Sequence, residues 1–76
     1  MKRIIAERML LSLAKRIRKK TGKSKAAVAR EFGVSLVTIH NAEETPSMSL
    51  TKMRIRMIEK YSRLKVKGPV YLLEER

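Results

Sequence analysis

The chain has no cysteine, which excludes disulfide cross-links, thiol catalysis and cysteine-ligated metal sites together. Its one histidine, His40, cannot by itself build a histidine-rich metal site or a credible Ser-His-Asp arrangement. Tryptophan is absent and all aromatics make up 4% of residues, so stacking platforms for single-stranded bases are poorly supported. Acidic residues are scarce: 7 Asp+Glu stand against 19 Lys+Arg, for a net charge of +12. Long apolar runs are missing as well. The longest stretch without a formal charge, Phe32 to Ala42, falls far short of the roughly 20 apolar residues that cross a bilayer. Met1-Lys2-Arg3-Ile4-Ile5 opens like an export signal, but Glu7 and Arg8 interrupt it. No nucleophile–base pair or metal cluster is visible, so an enzyme is the weakest reading. The expectation is no cofactor, no metal and no small-molecule substrate.

What remains is one small domain of 76 residues, 43% of them hydrophobic, enough for a modest core. The charge is unevenly placed. Residues 1–25 carry net +9, residues 26–50 net −2 and residues 51–76 net +5. Basic blocks thus flank a nearly neutral middle, a pattern suited to gripping an anion at the edges and presenting polar groups between. The plainer alternative is that Lys15–Lys20 and Lys60–Lys67 are solvated helix faces.

Periodicity predicts a mainly α chain of four to five short helices with a short C-terminal extended or strand segment. Over Arg3 to Lys20, Leu10, Leu13, Ala14 and Ile17 fall on one helical face, and Thr21-Gly22 ends the helix. Ser24 is positioned to cap a second helix, Lys25 to Phe32, with Val28, Ala29 and Phe32 inward. Gly33 stops it, and Ser35 caps a third helix from Leu36 to about Glu43. Pro46 closes that helix, and Ser47 or Ser49 caps a fourth bearing Leu50, Met53, Met57, Tyr61 and Leu64 on its inner stripe. Ile55 and Ile58 lie beside this stripe, widening it or facing a partner subunit. Gly68-Pro69 then breaks the pattern, and Val70-Tyr71-Leu72-Leu73 reads as extended.

The stretch Lys25–Ala42, KAAVAREFGVSLVTIHNA, is the most specific part. Two short helices meeting at a tight turn need a small residue where they cross, Ala29, and a turn residue, Gly33. Val34 and Ile39 fill the angle between them. With Ala29, Gly33, Val34, Ile39 and Ala42 at matching offsets, the chain resembles the Cro/CI-type (XRE) helix-turn-helix regulators of phage and bacteria. The resemblance runs from about Leu13 to Leu64, and Gly68-Pro69-Val70-Tyr71 is similar to the last strand of Cro members. Lys23 and Glu44 depart from the residues usual at their positions, and Ala42 stands where a larger apolar residue is common, although it matches the Cro members.

The resemblance implies a lambda-repressor-like domain over residues 1–76, with its helix-turn-helix core at about 24–43 and a dimerisation tail at 65–76. It implies a cytoplasmic regulator, a repressor above all, that binds double-stranded DNA as a homodimer on a palindromic operator. The third helix would lie in the major groove, with Ser35, Leu36, Val37, His40 and Asn41 at base edges. Asn41 can pair bidentately with adenine, and Leu36 and Val37 can meet a thymine methyl. Lys25 holds the family position for a phosphate contact, and Lys23, Thr38, Lys52 and Arg54 are its expected companions. By offset, Arg18 and Glu43 match a structural ion pair between the first and third helices. The dimer surface is expected on the outer residues of the fourth helix, on Val70–Leu73, or on both. Two other readings compete. One is an antitoxin-type or accessory factor whose main partner is a protein and whose DNA binding is autoregulatory. The other is non-specific binding of nucleic acid or an anionic membrane by the basic helices.

Overall fold

A computed structural model describes residues 2–5, 7–67 and 71–75. The order of elements is β1 (Lys2–Ile5), α1 (Glu7–Thr21), α2 (Lys25–Phe32), α3 (Leu36–Glu44), α4 (Thr51–Tyr61), β2 (Leu64–Lys67) and β3 (Tyr71–Glu75). Among the described residues the chain is therefore mainly helical, with four helices and a strand near the C-terminal end. Two further strands complete an antiparallel sheet of order β1-β3-β2.

The helix boundaries follow local chemistry. Gly22, at φ 77, ends α1. Ser24 Oγ accepts from Ala27 N at 3.1 Å and caps α2. Gly33 closes α2 in the left-handed region at φ 67, while Val34 N donates to Ala29 O at 3.0 Å. This two-bond cap satisfies carbonyls that would otherwise lack donors and turns the chain straight into α3. Ser35 then caps α3, its Oγ accepting from Thr38 N at 3.2 Å.

The fourth helix differs from expectation at both ends. Neither Ser47 nor Ser49 caps it: Leu50 is the cap residue and provides no side-chain bond. The preceding turns are held by backbone bonds instead, Met48 N to Thr45 O at 3.1 Å and Leu50 N to Met48 O at 2.9 Å. At the far end, Ser62 Oγ donates to Ile58 O and accepts from Leu64 N at 3.0 Å. That bond turns the chain out of the helix, so Leu64 belongs to β2 rather than to a longer α4. The opening of the predicted first helix is also corrected: residues 2–5 form β1, paired in register Lys2↔Glu74 to Ile5↔Tyr71.

The core lies where α1 crosses α4, floored by α2, α3 and one face of the sheet. Leu10, Ala14, Val28, Ile39, Met57 and Ile58 are fully buried. Val66 and Leu73, cross-strand partners, seal the sheet side. Ile58 is thus a core residue, and Ile55 packs against the same cluster.

Candidate nucleic-acid interface

With Ile39, Ala42 and Glu43 buried, helical rotation of about 100° per residue turns Val37 and Asn41 outward. Leu36 and Val37 remain 51% and 65% exposed, large fractions for aliphatic side chains with free access to a core. Both therefore stand at the surface and do not pack inward. His40 and Thr38 lie on opposite flanks of this outward stripe. Asn41 is half-buried, and its Oδ1 accepts from Thr45 Oγ1 at 2.9 Å, which restrains the amide and leaves its NH2 directed elsewhere. Ser35 is exposed but already committed: its oxygen caps α3 and lies 3.0 Å from Thr38 Oγ1.

Cations border the stripe on both sides. On the α2 flank, Lys25 Nζ sits 3.0 Å from His40 Nδ1 and 3.6 Å from Glu44 Oε2. Lys15 of α1 joins from below, its Nζ 2.6 Å from the same carboxylate oxygen. The Lys15 ammonium, with Lys25 behind it, holds the Glu44 carboxyl below the usual carboxylate range. On the α4 flank, Thr38, Lys52 and Arg56 line one groove of about 700 Å³. Arg56 also lies over the Phe32 ring, 4.7 Å from its centroid, a contact that fixes the guanidinium at the edge of α2. Arg56 was not among the expected interface residues. The signal for Arg56 is its spacing four residues after Lys52, which puts both on one helical stripe.

Lys23 is drawn away from the stripe. Its ammonium pairs with Glu31 and stands 5.9 Å from the Tyr61 ring centroid. Tyr61 Oη donates to the other oxygen of Glu31, and Lys60 Nζ lies 3.9 Å from it. Hydrogen bonds from Lys23 and Tyr61 hold the Glu31 carboxyl below its ordinary range, while burial and that carboxylate push the Tyr61 phenol up.

Arg54 requires correction. It is 4% exposed, its Nε donates to Ala42 O at 2.8 Å and its Nη2 to Thr45 O at 3.0 Å. These are carbonyls at the C-terminal end of α3, where a cation satisfies acceptors the helix cannot. Arg54 therefore anchors α3 from within and is not presented to a phosphate. The predicted structural pair is in place: Arg18 Nε donates to Glu43 Oε2 at 2.5 Å and Nη2 to Oε1 at 2.9 Å, with Glu43 fully buried. Arg18 Nη1 also reaches Lys23 O at 2.9 Å, tying the turn after α1 into the same assembly.

The C-terminal segment forms the expected strand, set inside a sheet. β3 is the central strand, bonded to β1 on one side and β2 on the other, so it has no open edge. Val70 lies outside the described residues. The outer stripe of α4 carries Lys52, Arg56 and Lys60, like charges that oppose self-association through that face. Among the described residues no helix is long and apolar enough to cross a membrane, and no His/Cys/Asp/Glu group could hold a metal. No family model, no curated protein and no solved structure matches the chain.

Proposed function

We propose that this chain is a sequence-specific double-stranded DNA-binding regulator, a cytoplasmic repressor of Cro type acting as a homodimer on a palindromic site. One observation carries the reading: α3 presents the neutral stripe Leu36, Val37 and Asn41 outward, bordered by Lys25 on one flank and by Lys52 and Arg56 on the other. A helix whose uncharged face is framed by cations matches the needs of a duplex. Base edges are read by hydrogen bonds and methyl contacts, and phosphates on either side of the groove are held by charge. A uniformly basic face would serve non-specific binding equally well and would have no use for an exposed valine between its lysines. The buried anchors Arg18–Glu43 and Arg54 fix α3 against the body, which a reading element requires.

One module covers few base pairs, so two copies on half-sites about 34–36 Å apart are expected. The test is selection of bound duplexes from a random pool at moderate salt, followed by binding of the enriched site. A palindromic consensus is the expected result. Asn41→Ala should relax selectivity at one base pair at a cost of about 1–3 kcal/mol on the preferred site. Absence of any enriched sequence would refute the proposal in favour of non-specific binding.

A further inference from the structure

The contact between Lys25 and His40 contains more information than its distance. A lysine ammonium carries three donors and no acceptor. At 3.0 Å from Nδ1 it must therefore donate to that nitrogen, which must be unprotonated. A neutral imidazole has one proton, so it sits on Nε2. The ring also loses its freedom to flip, because a half-turn would replace Nδ1 by a carbon opposite the ammonium. Lys25 is itself held from the other side by Glu44, one turn beyond His40, and Glu44 by Lys15 from α1. The charged groups linked to the imidazole through this chain of contacts are Lys25 of α2, Glu44 of α3 and Lys15 of α1.

We infer that Lys25 is a positioning residue that orients His40, so that Nε2–H is offered to the major groove as a fixed donor reading a purine acceptor. This rests on the DNA-binding reading above. Major-groove acceptors are N7 of either purine, O6 of guanine and O4 of thymine, the purines offering most, whereas cytosine offers its N4 amino donors, which a fixed donor refuses. Lys25 consequently does two jobs. Its remaining protons and charge attract a phosphate, an effect blind to sequence, and its bond to Nδ1 creates selectivity at one base pair.

His40 is the only histidine in the chain, so its ring nitrogens can be followed without assignment ambiguity. In nitrogen-15 NMR of the free protein near neutral pH, Nδ1 should appear as the unprotonated, hydrogen-bonded nitrogen and Nε2 as the protonated one. Lys25→Met should shift the Nδ1 resonance, and Lys25→Arg, which keeps a donor, should restore it. In duplex selection, Lys25→Met should lower preference for the purine at the base pair that His40→Ala also affects, by roughly fivefold. It should have no such further effect in the His40→Ala background. A protonated Nδ1 in the free protein would overturn the inference while leaving DNA binding standing. So would a Lys25→Met protein weakened equally on every sequence. Loss of all sequence preference in the unmodified protein would instead refute the DNA reading and the base contact with it, and the NMR result would still decide the Lys25–His40 bond.

Discussion

The Arg18–Glu43 pair offers the sharpest test of how α3 is held. Glu43 is fully buried and receives two guanidinium bonds, at 2.5 and 2.9 Å. Glu43→Gln preserves volume but leaves one acceptor oxygen for two donors, turns an NH2 toward an N–H, and strands the buried cation. Hydrogen bonds to charged groups are worth about 1.5–3 kcal/mol each, and breaking a buried pair from one side costs about 3–5 kcal/mol. A domain of 76 residues has about 4–11 kcal/mol of stability in total, so the variant should be close to unfolding at ambient temperature. The melting temperature should fall by roughly 12 °C or more. The partner experiment removes both charges: Arg18→Met with Glu43→Leu should be close to neutral, because an apolar pair avoids desolvating two ions. Urea and thermal unfolding of the three proteins by circular dichroism give both values. A loss below about 1 kcal/mol for Glu43→Gln would mean that water screens the pair and would refute the reasoning. A double variant as unstable as Glu43→Gln would refute it as well.

Arg54→Ala should lower stability by about 2–4 kcal/mol, from one buried and one partly buried carbonyl bond lost, and leave the salt dependence of DNA binding unchanged. Lys52→Ala should do the reverse, reducing the salt slope by about one unit per protomer without affecting unfolding. Gly33→Ala meets no atom within 4 Å, so its cost is the left-handed backbone alone, about 1–2 kcal/mol by urea midpoint. Glu31 and Glu44 are held below their ordinary value of 4.5, so their stabilisation is present above that pH and lost as the pH falls through the lowered folded values. Tyr61 is raised, so its contribution is complete below pH 10.0 and lost on going higher. Glu31→Gln should weaken both limbs of a stability–pH curve, and an unchanged curve would exclude the Glu31–Tyr61 bond.

What could be read from the sequence was what local chemistry determines. The 3.6-residue stripe of Leu10, Ala14 and Ile17, the caps Ser24 and Ser35, and the turn at Gly33 each depend on neighbours within a few positions. β1 was not legible, because Lys2–Ile5 becomes a strand only by pairing with residues some seventy positions away. Its isoleucines are compatible with a strand or a helix until β3 is placed beside them. The end of α4 was missed for a related reason: Leu64 continues the helical spacing, and the Ser62 hydroxyl, the Glu59 carboxylate and pairing with β3 divert it. Arg54, expected as a phosphate contact, has an interior place that is not legible from its charge. It lies four residues before Ile58, and the burial of Ile58 carries it inward.

That last point changes how the net charge of +12 bears on function. Arg18 and Arg54 are interior groups, each spent on a partner at the C-terminal end of α3. Lys23 and Lys60 converge on Glu31, and Lys15 on Glu44, away from the outward stripe. The cations that border the stripe are Lys25, Lys52 and Arg56, so the proposed function requires about three phosphates per protomer to be neutralised on binding. Counterion release then gives a slope of log K against log salt of about −3 per protomer and about −5 for a dimer. A dimer slope steeper than about −9 would require the exposed α1 cations Arg16, Lys19 and Lys20 to touch the backbone too. That outcome would move the docking axis toward α1 and away from the Lys52–Arg56 groove. The sign and size of the total charge do not distinguish these geometries; the positions of the few cations left at the surface beside Val37 and Asn41 do.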